Sequence, residues 1–143
     1  MNPHEHKYEA DNQTGVNHEG PDANNPVKRL TAHSIIGDRV ENPEGDDLGK
    51  IGDLMINLQT GVIEYVVLES GTFLGMGGKL FAIPFRALRL NAAKEVFVLN
   101  RDKEYLSEAP GFDKDHWPDT NDHRYFERIT AYYDRSPIPM VPL

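Results

Sequence analysis

Leu48-Gly49-Lys50-Ile51-Gly52-Asp53-Leu54-Met55-Ile56-Asn57-Leu58, then Gln59-Thr60-Gly61, then Val62-Ile63-Glu64-Tyr65-Val66-Val67-Leu68-Glu69, is a strand, a turn and a returning strand. Strand side chains alternate between two faces, so Leu54, Ile56 and Leu58 fall on one face and Asp53 and Asn57 on the other. Ile51 is out of phase with that apolar face, and a bulge near Gly52 restores the register. Gln59-Thr60-Gly61 is a short loop with glycine where a left-handed residue is wanted. The returning run is β-branched and aromatic, and apolar on both faces for part of its length. That predicts a central strand covered on both sides.

Before this hairpin, Thr31 can cap a helical turn through Ala32–Ile36 that Gly37 ends. Arg39-Val40-Glu41 reads as a first strand, and Asn42-Pro43-Glu44-Gly45-Asp46-Asp47 has turn chemistry. Beyond the hairpin, residues 71–78 form a glycine-rich loop with apolar tips. Lys79–Ile83 is a strand ended by Pro84, and Arg89–Asn91 and Glu95–Leu99 make a last pair. About six short strands with turn signals between them predict a small closed or nearly closed antiparallel barrel over residues 29–100.

Residues 1–28 read as a disordered arm, with Tyr8 and Val16 too few to offset the entropy of ordering. Residues 101–135 read as a partly helical extension. Asp102–Ala109 is stopped by Pro110-Gly111, and a second helix capped by Asn121 or Asp122 carries Tyr125, Phe126, Ile129, Tyr132 and Tyr133 as one stripe. Residues 136–143 are a Pro-rich extended tail.

The net charge of −8 is uneven, with seven acids against two bases in residues 102–122. No Lys/Arg cluster of the kind that neutralises phosphates occurs, so no nucleic-acid partner is expected. No apolar run nears the ~20 residues of a membrane helix. The opening Met1–His6 lacks a basic region followed by an apolar stretch, so no secretory signal is expected. The absence of Cys excludes disulfides and thiol chemistry, and a cytoplasmic location is expected.

Residues Leu30 to about Leu99 resemble a PRC-barrel domain. The marks are Ile36-Gly37, Asn42-Pro43 with Gly45, Leu48-Gly49-Lys50-Ile51, Asp53-Leu54-Met55-Ile56, Thr60-Gly61 and Phe81-Ala82-Ile83-Pro84-Phe85, in that order and spacing. Ala109–Asp119 is similar to the extension that follows this barrel in many stand-alone bacterial members. The family includes the cytoplasmic domain of the photosynthetic reaction-centre H subunit and the C-terminal domain of a ribosome maturation factor. The resemblance implies a docking and assembly element with no shared catalytic residues. These residues include neither the membrane helix of the one nor the second domain of the other, so neither specific role is expected to carry over.

The remaining motifs name no reaction. Gly75, Gly77, Gly78 and Lys79 fail the P-loop pattern, which needs glycine where Phe73 stands and Ser or Thr at Leu80. His4, Glu5 and His6, and Asp113, Asp115, His116, Asp119 and His123, are metal-capable residues without metal-site spacing, because Trp117 and Pro118 interrupt a calcium-type loop. Asp53, Glu64 and Glu69 match the polar outer face of a barrel, and Ser70 lacks a nucleophile elbow. No cofactor and no enzyme activity are expected.

Seven of the thirteen aromatics lie beyond the barrel, to pack the extension on its wall or to form an interface. The expectation is a protein-docking module whose partner contacts are Phe73, Leu74, Met76, Trp117, Tyr132 and Tyr133. A homodimer is one arrangement it allows. The alternatives are a metal- or small-molecule-responsive regulator using the C-terminal His and Asp residues, and an accessory of photosynthetic or other electron-transfer complexes.

Overall fold

A computed structural model describes residues 10–25, 27–70, 79–119 and 123–135. Among these residues seven strands form one sheet: β1 (Arg39–Glu41), β2 (Asp47–Ile56), β3 (Ile63–Glu69), β4 (Lys79–Pro84), β5 (Leu88–Asn91), β6 (Val96–Leu99) and β7 (Gly111–Asp113). Their order across the sheet is β5-β6-β1-β2-β3-β4-β7. The helices are α1 (Ala32–Ile35), α2 (Lys103–Ser107) and α3 (His123–Asp134), with a 3-10 turn at Phe85–Ala87.

The β2–β3 hairpin is the centre of the sheet, as its sequence predicts. Leu54 faces Val66 and Met55 faces Tyr65, and the register slips between Ile51 and Asp53, at Gly52. A side chain on Gly52 would meet the Glu69 carboxylate. Gly49 is more constrained: its φ is +132°, and a Cβ there would lie 2.2 Å from the Glu69 carbonyl oxygen. Ile51 and Leu48 are thereby turned fully into the core.

The flanking elements follow their local chemistry. The Ser34 N–H donates to Thr31 Oγ1 at 3.2 Å and caps α1. The Gly37 N–H then donates to the Ile51 carbonyl at 2.7 Å, which ties the end of α1 to β2. In the β1–β2 turn, buried Asn42 accepts the Asp46 N–H at 2.8 Å and donates to the Asp46 carboxylate at 3.0 Å.

β3 and β4 carry apolar residues on both faces, so the sheet has two cores. Val66, Leu68, Phe81 and Ile83 join Val40, Leu48, Ile51, Phe97, Leu99 and Leu106 on one side. Tyr65, Val67, Leu80 and Ala82 meet Phe112 and Ile129 on the other, with Met55, Tyr125 and Phe126 packed at the margin. Full burial of each such aliphatic or Phe contributes about 1.5–3 kcal/mol. α3 is the cover of the second face.

The expected six-stranded antiparallel barrel is corrected to a seven-stranded, mixed and unclosed sheet. β1 pairs antiparallel with β2 but parallel with β6, through Val40–Phe97 and Glu41–Val98. The extension adds β7, antiparallel to β4. β5 and β7 are the two edges, and no ladder joins them. Turn signals mark the six strands between residues 39 and 99, but which strands become neighbours is set by long-range packing. A three-residue strand after Pro110 has no period to read.

Residues 10–25, within the arm expected to be disordered, hold a helical turn over 10–14 and are hydrogen-bonded inward. Asn12 Oδ1 accepts the Thr31 N–H at 2.8 Å, and Gly15 lies against Leu90 of β5. The expected caps Asn121 and Asp122, and residues 136–143, lie outside the described residues.

Candidate functional site

The β2–β3 turn is built around Asn57. Its Oδ1 accepts the N–H groups of Gln59 at 2.9 Å and Thr60 at 3.2 Å, and its Nδ2 donates to Glu64 at 3.1 Å. The Asn57 N–H donates to the Val62 carbonyl at 2.8 Å, and Gly61 takes φ +75°. This network holds Leu58 out of the protein, 93% exposed, with Val62 at 56% and Ile56 at 44%.

Beside the turn runs a groove of about 460 Å³, between the Met55–Gln59 end of β2 and the first turn of α3. Its apolar walls are Met55, Tyr65, Pro118, Tyr125 and Phe126, and its polar rim includes Glu64, Asp119 and His123. The walls are braced ring to ring. Tyr65 meets Tyr125 edge-on at 6.0 Å and Phe126 in a stacked arrangement at 6.4 Å, and Phe112 meets Tyr125 edge-on at 5.9 Å. The Tyr125 hydroxyl donates to the Pro110 carbonyl at 3.4 Å.

The groove is therefore an aromatic trough whose phenols stay protonated. Burial, with the Glu64 carboxylate beside it, pushes the Tyr65 phenol up to about 12. Burial also pushes Tyr125 upward, further than Tyr65. The trough offers apolar walls and neutral hydroxyls, suited to an uncharged apolar guest. Elsewhere, burial and then the neighbouring Glu95 charge raise the Asp38 carboxyl to about 6.

Of the residues singled out in the sequence, Phe73, Leu74 and Met76 lie outside the described residues. Trp117 is 43% exposed and leans on Phe112 at 5.1 Å, next to Pro118 of the groove wall. Tyr132 is half-buried against Tyr105, and Tyr133 is buried in the first core. These two stand at the far end of α3 from the groove. Tyr133 packs the extension onto the sheet, which is the first of the two roles weighed for the aromatics.

Ile56, Leu58 and Val62 were assigned to no site by the sequence, because the two-residue period places Ile56 and Leu58 with the core. The signal was present all the same. Leu58 and Val62 directly flank Gln59-Thr60-Gly61, where a hairpin runs beyond the body that could bury them.

The carboxylates considered for chemistry are held in local pairs. Glu64 binds Asn57, and Glu69 lies 3.7 Å from Lys50. His116 lies 3.8 Å from Asp113, and among the described residues no three His, Asp or Glu converge to hold a metal ion. No helix of the described residues is long and apolar enough to cross a membrane.

No curated protein matches the chain. The family model for the PRC-barrel domain matches residues 28–106, which is more than half of the sequence and runs from just before α1 to the last turn of α2. The chain belongs to the PRC-barrel domain family.

Proposed function

We propose that this chain is a non-catalytic docking module that engages a protein partner through the β2–β3 turn and the aromatic groove beside it. The observation that carries the reading is Leu58, a large aliphatic side chain 93% exposed on a turn fixed by five hydrogen bonds to one asparagine's backbone and amide. An apolar group displayed on a rigid support loses little entropy on binding, as an interface anchor should. The family supports the same class of role, since PRC-barrel domains are small modules often involved in protein interactions. Its resemblance to the reaction-centre H subunit barrel makes electron-transfer assemblies a partner class to test.

The test is affinity capture with the wild-type chain beside Leu58→Asp and Val62→Asp. A specific partner retained by wild type and lost by both folded variants supports the reading. Equal capture by all three removes the turn from the interface. A parallel Phe73→Ser, Met76→Ser variant tests the glycine-rich loop.

A further inference from the structure

The groove has a charge pattern as well as a shape. Its walls, built on Tyr65, Tyr125 and Phe126, suit an uncharged body, and its charge lies at the rim. The carboxylates of Glu64 and Asp119 line it beside His123, and among the described residues no Lys or Arg does. The arginines in the first half of α3, Arg124 and Arg128, line an adjoining hollow, where Arg128 lies 6.0 Å from the Tyr125 ring centre.

The two carboxylates come from the two sides of the groove. Glu64 stands on β3 beside the turn, and the exposed Asp119 stands on the segment that leads into α3. Glu64 is held in place without being neutralised: its Oε2 accepts the Asn57 Nδ2 hydrogen at 3.1 Å, and an amide cancels no charge. Its charge reaches the trough, where it helps to push the Tyr65 phenol up to about 12. A cation brought to this rim meets two carboxylates and the faces of neighbouring rings, both of which favour it. A second copy of the chain would instead bring a net charge of −8 to the same acidic rim.

We propose that the partner segment seated in this groove carries an aromatic side chain for the trough and, two residues away, a Lys or Arg for the rim of Glu64 and Asp119. This rests on the reading of the groove as a docking surface and names the partner's chemistry there. In an extended segment the side chains of residues i and i+2 share one face, about 7 Å apart. One can then enter the trough, gaining edge-to-face contacts with its rings, while the other keeps its cation at the wet rim.

The test titrates three probes into the full-length chain and follows the amide chemical shifts. They are acetyl-Phe-Ala-Lys-amide and the same peptide with norleucine or Glu in place of Lys. The Lys peptide should shift the amides of Met55, Leu58, Tyr125 and Phe126, and should bind at least about fivefold more tightly than the Glu peptide, with norleucine between them. In a Glu64→Gln, Asp119→Asn double variant, in which Gln still offers Asn57 an acceptor, the three peptides should bind about equally. Equal binding of the three by wild type, a Lys preference that survives in the double variant, or no shift at about 10 mM of the Lys peptide overturns the proposal. A dimer of the chain alone that Leu58→Asp dissolves, seen by sedimentation, assigns the groove to a second copy and overturns it equally. The peptides need no protein partner. Loss of their charge preference therefore leaves the capture experiment with Leu58→Asp interpretable, and indifferent capture leaves the preference intact.

Discussion

The rings of Tyr105 and Tyr132 lie with centroids 4.3 Å apart, and each hydroxyl donates to the other residue's backbone carbonyl. This reciprocal clasp joins α2 to α3 and so fastens the extension to the sheet. Tyr105→Phe or Tyr132→Phe keeps the ring and removes one hydrogen bond. Each is expected to destabilise by about 0.5–1.5 kcal/mol, and an alanine double-mutant cycle should return a coupling of about 1 kcal/mol, both read by urea unfolding.

Arg101 is buried, stacked 4.1 Å from the Tyr105 ring centre, and donates to two carbonyls at the end of α3. Those carbonyls are among the acceptors that a helix end leaves open. Arg101→Met preserves much of the packing and removes the charged donors. The expected loss is about 1.5–3 kcal/mol, with Arg101→Lys recovering only part of it because one ammonium does not reproduce the planar fork.

Gly49→Ala places a methyl 2.2 Å from the Glu69 carbonyl, at a φ of +132°. Neither the clash with backbone nor the dihedral can be relieved locally. A loss of at least about 2 kcal/mol is expected, against about 1 kcal/mol or less for Gly61→Ala, where no atom lies within reach and only the φ of +75° opposes it. Thermal unfolding of the two variants side by side checks the difference.

Asp38 holds its proton more tightly folded than unfolded, since its carboxyl rises from 3.8 to about 6 through burial and the Glu95 charge. Its contribution to stability is therefore fully present below about pH 4 and is lost as pH rises to about 6. Asp38→Asn removes that loss. The variant's melting temperature should gain on the parent's between these pH values and stay level above them. A difference that does not change with pH would contradict the assignment.

Leu58→Asp replaces a side chain that is almost wholly exposed, and Val62→Asp one that is more than half exposed. Their unfolding free energies should stay within about 0.5 kcal/mol of wild type, whereas Ile51→Ala in the core should cost about 2–5 kcal/mol. If Leu58→Asp unfolds the protein, the turn belongs to the fold and not to a docking surface.

Much of this was legible in the residues. Thr31, Gly37, Gly45 and Gly61 act as caps and turns because such positions demand local chemistry that few residues supply. The slip at Gly52 followed from Ile51 falling out of phase. The two-faced apolar character of Val66 to Leu68 announced a sheet covered on both sides. What stayed hidden depends on distance along the chain. Nothing in Val40 records that Phe97 will lie beside it in parallel. The exposure of Leu58 was masked by period, which assigns a face but not whether anything covers it. The groove joins Tyr65 to Tyr125 across sixty residues, and only the docking of α3 brings them together.

β1 is three residues long and, among the described residues, is the strand that bridges the β5–β6 pair to the rest of the sheet. Its parallel partner β6 is made more than fifty residues later. The hairpins β2–β3 and β5–β6 can each form from nearby residues, but the bridge must wait until a long loop closes. Of the ladders among the described residues, the pairing of Val40 with Phe97 therefore has the longest loop to close, and it buckles the two hairpins into one sheet.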